Sequence, residues 1–506
     1  MTTYRRNALL LALSAATVAA ALPAATASAA GTASAPGSGL AWRNCAVAGG
    51  PAGQECADLS VPLDYREPAG RQVTIAVSRI KSTRPEARRG TLMVIPGGPG
   101  SSGVQRLTQK GARLAQETGG AYDLVAFDPR GVGGSTRANC GLDAADRYMV
   151  TLRSWPGADG SIEDNVARSK RIAEACRRNG GPVLDSLTTH NQARDLDRLR
   201  EALGEERISA WGTSYGTYVA AVYAQKFPQR TDRWVLDSSA DPNPKRVAQG
   251  WMRDMARGAD DRFPDFAAWA AHPDRAGDGL RLADRPEDVR PLFIALAARL
   301  DTTPVPSTTP GVEVNGNVLR QALQNSLYSD SAFPGLARLI KAAQDPAAAD
   351  DPARRPALPP QLTQPMSDED AAITVGVICN DVRWTGSVPA YRRAVAADRA
   401  VHPLTAGLPA NITPCSFWKA PAEKPTRLTD EGPSNILMVQ SLRDPSTPYT
   451  SGLKMRAALG DKARLVTVDQ GGHGLYLGNG NACTDTTVTR FLLTGERPEQ
   501  DTTCAN

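Results

Sequence analysis

The chain contains a serine, an aspartate and a histidine in an order and in settings that predict nucleophilic catalysis. Ser214 stands at the centre of Gly-Thr-Ser-Tyr-Gly, residues 212–216, and His473 stands in the glycine-rich run 471–474. A serine hydroxyl is a weak nucleophile at neutral pH, so it needs a base within hydrogen-bond reach and a carboxylate that orients the base. We therefore expect Ser214 to be the nucleophile and His473 its base.

The choice of base rests on the sequence around each of the four histidines. His473 follows a late apolar strand, residues 464–468, and is the last histidine of the chain. The other three lie at a helix start, in an inserted segment and in a connection after that segment; they are His190, His272 and His402. Only His473 follows a strand of the core, where a catalytic loop is expected.

The orienting acid should lie between Ser214 and His473 in the chain, at the carboxyl end of a strand. Asp444 fits this position, because it follows the apolar run 436–440. Asp237 ends another strand and is the alternative, whereas Asp469 is too close in sequence to His473 to face it from a second loop. We expect Asp444 to be the orienting acid, because of its position in the chain.

The residues around Ser214 predict a strand, a sharp turn and a helix. An apolar run, residues 208–211, precedes the turn, and apolar residues then recur at helical spacing until Pro228 ends the helix. This is the pattern of a nucleophile elbow, in which flanking glycines leave room where strand and helix crowd together. The amide of Tyr215 would point at an oxyanion formed beside the serine.

A second glycine-rich loop, residues 96–103, follows the buried strand 90–95. A glycine cluster after a buried strand lets the backbone approach a ligand, and in hydrolases with this elbow the loop supplies a second oxyanion amide. We expect that donor to be Gly98, because Pro99 has no N–H. A third strand ends at Asp128 and Arg130, which we interpret as a tight turn with a structural ion pair.

The alternation of strands and helices predicts a mostly parallel sheet with helices on both faces, and the elbow within it indicates an α/β-hydrolase fold. The alternation stops where helical patches and a Pro/Ala/Asp-rich linker occur, a position at which such folds carry a cap. We divide the chain into a first core part, 40–244, a mainly helical cap insertion with linker, 245–371, and a second core part with a C-terminal disulfide segment, 372–506.

The N-terminus has the features of a secretory signal peptide. Arg5 and Arg6 precede the apolar run 8–22, and small residues follow. We expect residues 1–30 to be this signal and residues 31–39 to form a flexible mature N-terminus or a short pro-segment, so the protein should be secreted into the extracellular space. The paired arginines leave a twin-arginine export route open.

The composition is that of a soluble globular protein. The 506 residues are 41% hydrophobic and 22% charged, with a formal net charge of +5. No basic stripe or amphipathic basic helix occurs, so neither a nucleic acid nor a membrane is an expected partner. Because the sequence contains no CxxC pair and no HExxH motif, we expect no metal. We also expect no other cofactor, and we expect the protein to be a monomer.

Eight cysteines follow the signal, and an even number in an exported protein predicts disulfides. Connectivity does not follow from sequence alone, but sequential pairing closes short loops and is the pattern we expect. The pairs would be Cys45 with Cys56, Cys140 with Cys176, Cys379 with Cys415, and Cys483 with Cys504.

Taken together, the motifs resemble the secreted tripeptidyl aminopeptidases of actinomycetes, within the proline-iminopeptidase-like branch of α/β-hydrolase serine peptidases. The matching stretches are VPLDY at 61–65, PGGPGSSG at 96–103, DLVAFDPRGVGGS at 123–135, WGTSYGTYVA at 211–220, DPSTP at 444–448 and GGHG at 471–474. Two positions depart from the pattern: Pro96 stands where proline iminopeptidases carry histidine, and Ser238-Ser239 replaces an expected glycine.

The resemblance implies a serine exopeptidase that releases short peptides, typically tripeptides, from free N-termini through an acyl-enzyme. Ser214 would attack, His473 would carry the proton and Asp444 would hold His473. The amides of Tyr215 and Gly98 would stabilise the oxyanion.

An aminopeptidase must also hold an ammonium group, most simply with buried carboxylates. Candidates are Asp368, Glu369, Asp370 and Asp381. They fit solvated surface acids equally well, so none is assigned and the substrate-binding residues stay open.

Two other functions fit the same motifs. A secreted carboxylesterase or lipase would use the same triad, and an apolar acyl tunnel in place of an acidic pocket would distinguish it. A non-catalytic binding protein on a hydrolase scaffold is the third possibility. The presence of all three catalytic residue types argues against it.

Overall fold

The computed structural model describes residues 39–45, 49–51 and 53–504. The expected signal peptide and nearly all of the expected N-terminal segment 31–39 lie outside these residues. No helix in the described part of the chain is both long and apolar enough to cross a membrane.

A ten-stranded sheet forms the centre of the molecule, in the order β1-β2-β3-β5-β4-β6-β7-β10-β11-β12. Its first three pairings are antiparallel and all later ones are parallel. The strands of the chain are β1 (Arg43–Asn44), β2 (Gln54–Pro62), β3 (Gln72–Ile80), β4 (Thr91–Ile95), β5 (Asp123–Phe127), β6 (Ile208–Thr213), β7 (Thr231–Asp237), the separate hairpin β8 (Val305–Pro306) and β9 (Glu313–Val314), then β10 (Ile436–Arg443), β11 (Ala463–Gly471) and β12 (Thr502–Cys504).

Fifteen α-helices are described. They are α1 (Gly103–Glu117), α2 (Met149–Leu152), α3 (Glu163–Asn179), α4 (Gly181–Asp185), α5 (Thr189–Ala202), α6 (Tyr215–Lys226), α7 (Val247–Ala271), α8 (Pro286–Thr302), α9 (Gly316–Ser326), α10 (Phe333–Gln344), α11 (Pro360–Thr363), α12 (Asp368–Asp381), α13 (Val388–Val401), α14 (Tyr449–Leu459) and α15 (Ala482–Thr494).

The central strands are buried on both faces, as expected of parallel strands between two helical layers. Every residue of β4 and β6 is buried. The α/β-hydrolase fold predicted from the sequence is therefore confirmed.

The sheet is interrupted between β7 and β10, a stretch that includes the 245–371 segment predicted for the cap. The next strand of this sheet after β7 is β10, which begins at Ile436, and α12 and α13 lie between the predicted cap segment and β10. Helices α7 to α10 share an apolar core of their own, which includes Phe263, Phe293 and Ile340. Helix α12 instead buries Ile373 and neighbouring apolar residues in the main core.

The turn after β5 is structural, but its ion pair is not the expected one. Arg130 pairs with Asp195, at 2.6 Å from Nε to Oδ2, and both side chains are buried. Asp128 instead accepts hydrogen bonds from the Ser102 hydroxyl and the amides of Val104 and Gly134. Each charged group therefore ties the turn to a different part of the core.

All eight cysteines are paired. The disulfides join Cys45 to Cys56, Cys140 to Cys176, Cys379 to Cys415, and Cys483 to Cys504, which is the sequential connectivity expected from the sequence.

Candidate active site

Ser214 lies in the turn between β6 and α6, with φ of 59° and ψ of −126°. A non-glycine residue in this region is strained by about 1–3 kcal/mol, so its surroundings must hold it there. The flanking glycines make the turn possible: a Cβ at Gly212 would lie 2.6 Å from the Gly216 carbonyl oxygen, and one at Gly216 would lie 2.6 Å from that of Ile95. The elbow predicted from the sequence thus forms for the steric reason expected.

Asp444 contacts the imidazole of His473. The distances from His473 Nδ1 to the two carboxylate oxygens are 2.9 and 3.0 Å. Asp444 has no exposed surface, and it also accepts bonds from the amides of Ser446 and Thr447, both at 2.8 Å, and from the Thr447 hydroxyl at 3.0 Å. These donors fix the carboxylate against the ring.

The net shift of the pKa of His473 is upward. Burial lowers it, but the charge of Asp444 and its hydrogen bond to Nδ1 favour the protonated ring and outweigh burial. A base with a raised pKa takes up a proton more readily, which suits general-base catalysis near neutral pH.

Asp237, the alternative acid, has a different position. It is fully buried, and its carboxylate accepts bonds from the amides of Leu475 at 2.8 Å and Tyr476 at 3.0 Å, in the loop that follows His473. Burial raises the pKa of Asp237, and these bonds oppose the rise. Asp469, the third candidate, pairs with Arg443 near the surface, 2.7 Å away. Asp237 therefore holds the loop, and Asp444 holds the ring.

Ser238, one of the two serines found where the family pattern has glycine, has a positive φ of 62° and no exposed surface. Its hydroxyl accepts a bond from the Gly474 amide at 2.9 Å. The backbone conformation is thus one that glycine adopts easily, and the side chain that replaces glycine here anchors the histidine loop.

The glycine-rich loop after β4 approaches the nucleophile at Gly97, one residue before the predicted donor Gly98. A Cβ at Gly97 would lie 3.1 Å from the Ser214 Cβ, whereas Gly98 has a φ of +109°. Both glycines line one cavity with Ser214, Tyr215 and His473. The close approach of Gly97 was missed in the sequence because glycine runs do not reveal which member faces a neighbouring turn.

The cavity that contains Ser214 and His473 has a volume of about 450 Å³. Its lining is largely apolar and comes from residues far apart in the chain: Met149, Leu152, Trp251, Met252, Met255, Met366, Ile378 and Trp384, together with the disulfide Cys379–Cys415. Its charged lining residues are Arg106 and Arg153, and no carboxylate is found among the described residues that line it. Met255 is the hydrogen-bond partner of Arg153, 3.9 Å from its sulfur to Nη1.

The four acids considered for holding an ammonium do not line this cavity. Asp368 accepts bonds from the amides of Cys140, Gly141 and Leu142. Asp370 pairs with Arg137 at 2.9 Å.

Glu369 lies half-buried on α12. Asp381, at the end of α12, is buried and accepts bonds from the amide and hydroxyl of Thr189. Burial raises the pKa of Asp381 to about 6, and these bonds oppose the rise. Asp381 thus joins α12 to the start of α5.

One residue of the inserted segment completes the site in a way that no motif indicates. The carbonyl oxygen of Tyr328, between α9 and α10, accepts the His473 amide at 3.0 Å. The Tyr328 ring packs edge-on to the imidazole with centroids 5.0 Å apart. The inserted segment therefore contacts the base directly.

The arrangement has the parts needed for acyl transfer by a serine: a nucleophile on a strained turn, a base with its orienting acid, and backbone amides beside the nucleophile. In residues 39–45, 49–51 and 53–504, no cluster of three or more His, Cys, Asp or Glu side chains could hold a metal ion.

Comparison with known proteins gives consistent matches along the chain. Residues 405–504 match the family described as "TAP-like protein", and residues 90–285 match "alpha/beta hydrolase fold". A tripeptidyl aminopeptidase of Streptomyces lividans is 33% identical over 92% of this chain and 87% of its own length.

Two further relatives carry different names. The serine protease Hip1 of Mycobacterium tuberculosis is 29% identical over 90% of this chain and 88% of its own length. A carboxylesterase B of the same species is 30% identical over 89% of this chain and 86% of its own length.

Proposed function

Because the chain belongs to the tripeptidyl-aminopeptidase-like serine peptidases of the α/β-hydrolase fold, we propose that it is a secreted exopeptidase releasing short peptides, tripeptides in particular, from free N-termini. The observation that carries the proposal is the cavity at the nucleophile. About 450 Å³ lies within the range of sites for drug-sized ligands, and it suits an acyl segment of a few residues. Four disulfides agree with an oxidising compartment.

In the proposed reaction, Ser214 Oγ attacks the carbonyl carbon of the scissile bond and His473 Nε2 takes its proton. Asp444 accepts the Nδ1–H bond, which keeps Nε2 free to act and stabilises the imidazolium. The amides of Tyr215 and Gly98 receive the developing oxyanion.

The imidazolium then gives its proton to the leaving amine as the C–N bond breaks. Water, deprotonated by His473, hydrolyses the ester on Ser214 and frees the short peptide. The same residues therefore serve both halves of the reaction.

The free ammonium of the substrate has no carboxylate partner among the described lining residues. We infer that aromatic faces and neutral oxygens hold it instead. Trp251 and Trp384 line the cavity, and tryptophan rings are the side chains that attract cations most strongly.

One observation favours a second function, a carboxylesterase. The cavity lining is apolar and rich in methionine, which also suits an uncharged acyl chain. The triad is the same for both functions, so only substrates can separate them.

The test compares three substrates with the purified mature protein: Ala-Pro-Ala-anilide with a free amine, its N-acetylated twin, and a butyrate ester. Ser214→Ala is the blank. The proposal predicts turnover of the free-amine peptide and loss of turnover on acetylation. Cleavage of the ester with neither amide cut would overturn the peptidase and support the esterase.

A further inference from the structure

A second pocket, of about 360 Å³, adjoins His473 and is lined by two cations of helix α1, Arg106 and Lys110. It shares Arg106, Thr213 and His473 with the cavity that contains Ser214. Unlike that cavity, it is not lined by Ser214, Tyr215 or the glycines beside them. It therefore adjoins the base and is separate from the expected oxyanion site.

The two cations lie one helical turn apart on α1 and have neutral partners. Arg106 donates to the Thr213 hydroxyl at 2.9 Å and lies over the Trp211 ring, 5.0 Å from its centroid. Lys110 donates to the Leu477 carbonyl at 2.7 Å. No ion pair joins either cation to a carboxylate within the described residues.

The two acids whose charges act on these cations, Asp237 and Asp485, make their hydrogen bonds and ion pairs with other groups. Asp237 is bonded to the amides of Leu475 and Tyr476, and Asp485 accepts from the Leu477 amide and pairs with Arg113. Burial lowers the pKa of both cations and the charge of Arg106 lowers that of Lys110 further, while the charge of Asp237 opposes both shifts without cancelling them. Positive charge at this pocket is therefore incompletely balanced by the protein itself.

The position of the pocket relates it to the leaving group. In acyl transfer the carbonyl oxygen turns to the backbone amides, while the leaving amine must face the base that protonates it. The amine therefore leaves from the His473 side, where Arg106 and Lys110 lie. A charged group attached to that amine would meet both cations.

We propose that Arg106 and Lys110 bind a carboxylate on the residue that follows the scissile bond. This rests on the proposed peptidase function and narrows its substrates. The carboxylate can be the free α-carboxylate of a single leaving amino acid, as in a tetrapeptide, or an acidic side chain. Charge-assisted hydrogen bonds from a guanidinium and an ammonium suit either one.

The experiment measures kcat/KM for matched pairs of peptides. One pair is Ala-Pro-Ala-Gly with a free carboxylate and its C-terminal amide, and the other is Ala-Pro-Ala-Asp-amide and Ala-Pro-Ala-Asn-amide. We expect the charged member of at least one pair to be favoured about tenfold, and the pair that responds identifies the source of the carboxylate.

Lys110→Met and Arg106→Gln should each bring the ratio of kcat/KM between the charged and the uncharged peptide of the responding pair towards one. Arg113→Met is the matched control: it removes a charge from the same helix outside this pocket, and the ratio should persist. The ratio in the unaltered protein tests the preference for a carboxylate even where one variant fails to fold, and the other variant then tests the pocket.

Equal rates for both members of both pairs, with peptides still cleaved, would overturn this inference and leave the peptidase intact. A persistent ratio in both pocket variants would also overturn it. Failure to cleave any of the peptides or the anilide would overturn both proposals together.

Discussion

Asp444 and Asp237 are two fully buried acids that support the same histidine loop through different contacts. Asp444 places both oxygens within 3.0 Å of His473 Nδ1 and is itself held by three donors. Asp237 accepts from backbone amides two and three residues beyond the histidine. The first contact acts mainly on the protonation of the ring and the second on the path of the backbone, while the charge of Asp237 adds a smaller rise to the pKa of His473.

Asparagine substitutions should separate these roles. Asp444→Asn removes the charge that stabilises the imidazolium, so kcat should fall about 10⁴-fold with the fold intact, as in other serine triads. Asp237→Asn leaves one buried amide without its acceptor, so the free energy of unfolding should fall by about 1–3 kcal/mol.

Kinetics on the anilide and urea unfolding of both variants measure the two effects. Asp237→Asn should retain far more activity than Asp444→Asn. A larger loss of kcat in a fully folded Asp237→Asn would contradict the assignment.

The raised pKa of His473 should set the pH below which activity is lost. A protonated imidazole cannot take the proton of Ser214, so activity is lost as pH falls through that pKa. The midpoint of kcat/KM against pH should therefore lie above 6.5, the ordinary value for histidine. A profile from pH 5 to pH 9 measures it, and a midpoint well below 6.5 would be inconsistent with the Asp444 contact.

At the scale of elements, α12 joins the start of α5 to the wall of the cavity. Asp381 at its end accepts the Thr189 amide at 2.8 Å, and the Thr189 hydroxyl lies 2.7 Å from that of Tyr215, the residue after the nucleophile. Cys379, two residues earlier, lines the cavity. The helix therefore connects the packing of the core with the shape of the site.

Asp381 should make stability depend on pH. Burial raises its folded pKa to about 6, so between about pH 4 and pH 6 the folded state binds the proton more tightly than the unfolded state does. Stability should fall as pH rises through this window, by about 3 kcal/mol from this group. The free energy of unfolding of Asp381→Asn, minus that of the unaltered protein, should therefore rise from pH 4 to pH 7.5. A difference that is constant with pH would argue against a buried, protonatable carboxyl.

Two disulfides form a natural comparison, because Cys379–Cys415 and Cys140–Cys176 each close a separation of 36 residues. Chain-entropy arguments give each about 4 kcal/mol of stabilisation. Only Cys379–Cys415 lines the cavity. Replacing either pair with serines should lower the free energy of unfolding similarly, whereas KM for the anilide should rise only for Cys379→Ser with Cys415→Ser. Similar KM values for the two variants would mean that the cavity disulfide does not shape the site.

At the scale of the whole molecule, the features foreseen from sequence are those with local signatures. The elbow at Ser214 is marked by glycines that sterics require, and Asp444 and His473 follow apolar strands of the sheet. Parallel strands bring their carboxyl ends to one edge, so the fold and these candidate residues could be predicted together.

The cavity could not be predicted in this way. Its walls join Met149, Met255, Met366 and Trp384, which no spacing rule connects. That the described part of its lining has no carboxylate depends on how distant segments pack together. Long-range packing thus decides what the site accepts.

The central claim, removal of tripeptides from a free N-terminus, is tested most directly by identifying the first products from a ten-residue peptide by mass spectrometry. The proposed function predicts that an N-terminal tripeptide and the matching heptapeptide appear together, and that N-acetylation of the peptide or Ser214→Ala abolishes both. Single amino acids or internal fragments as first products would contradict it.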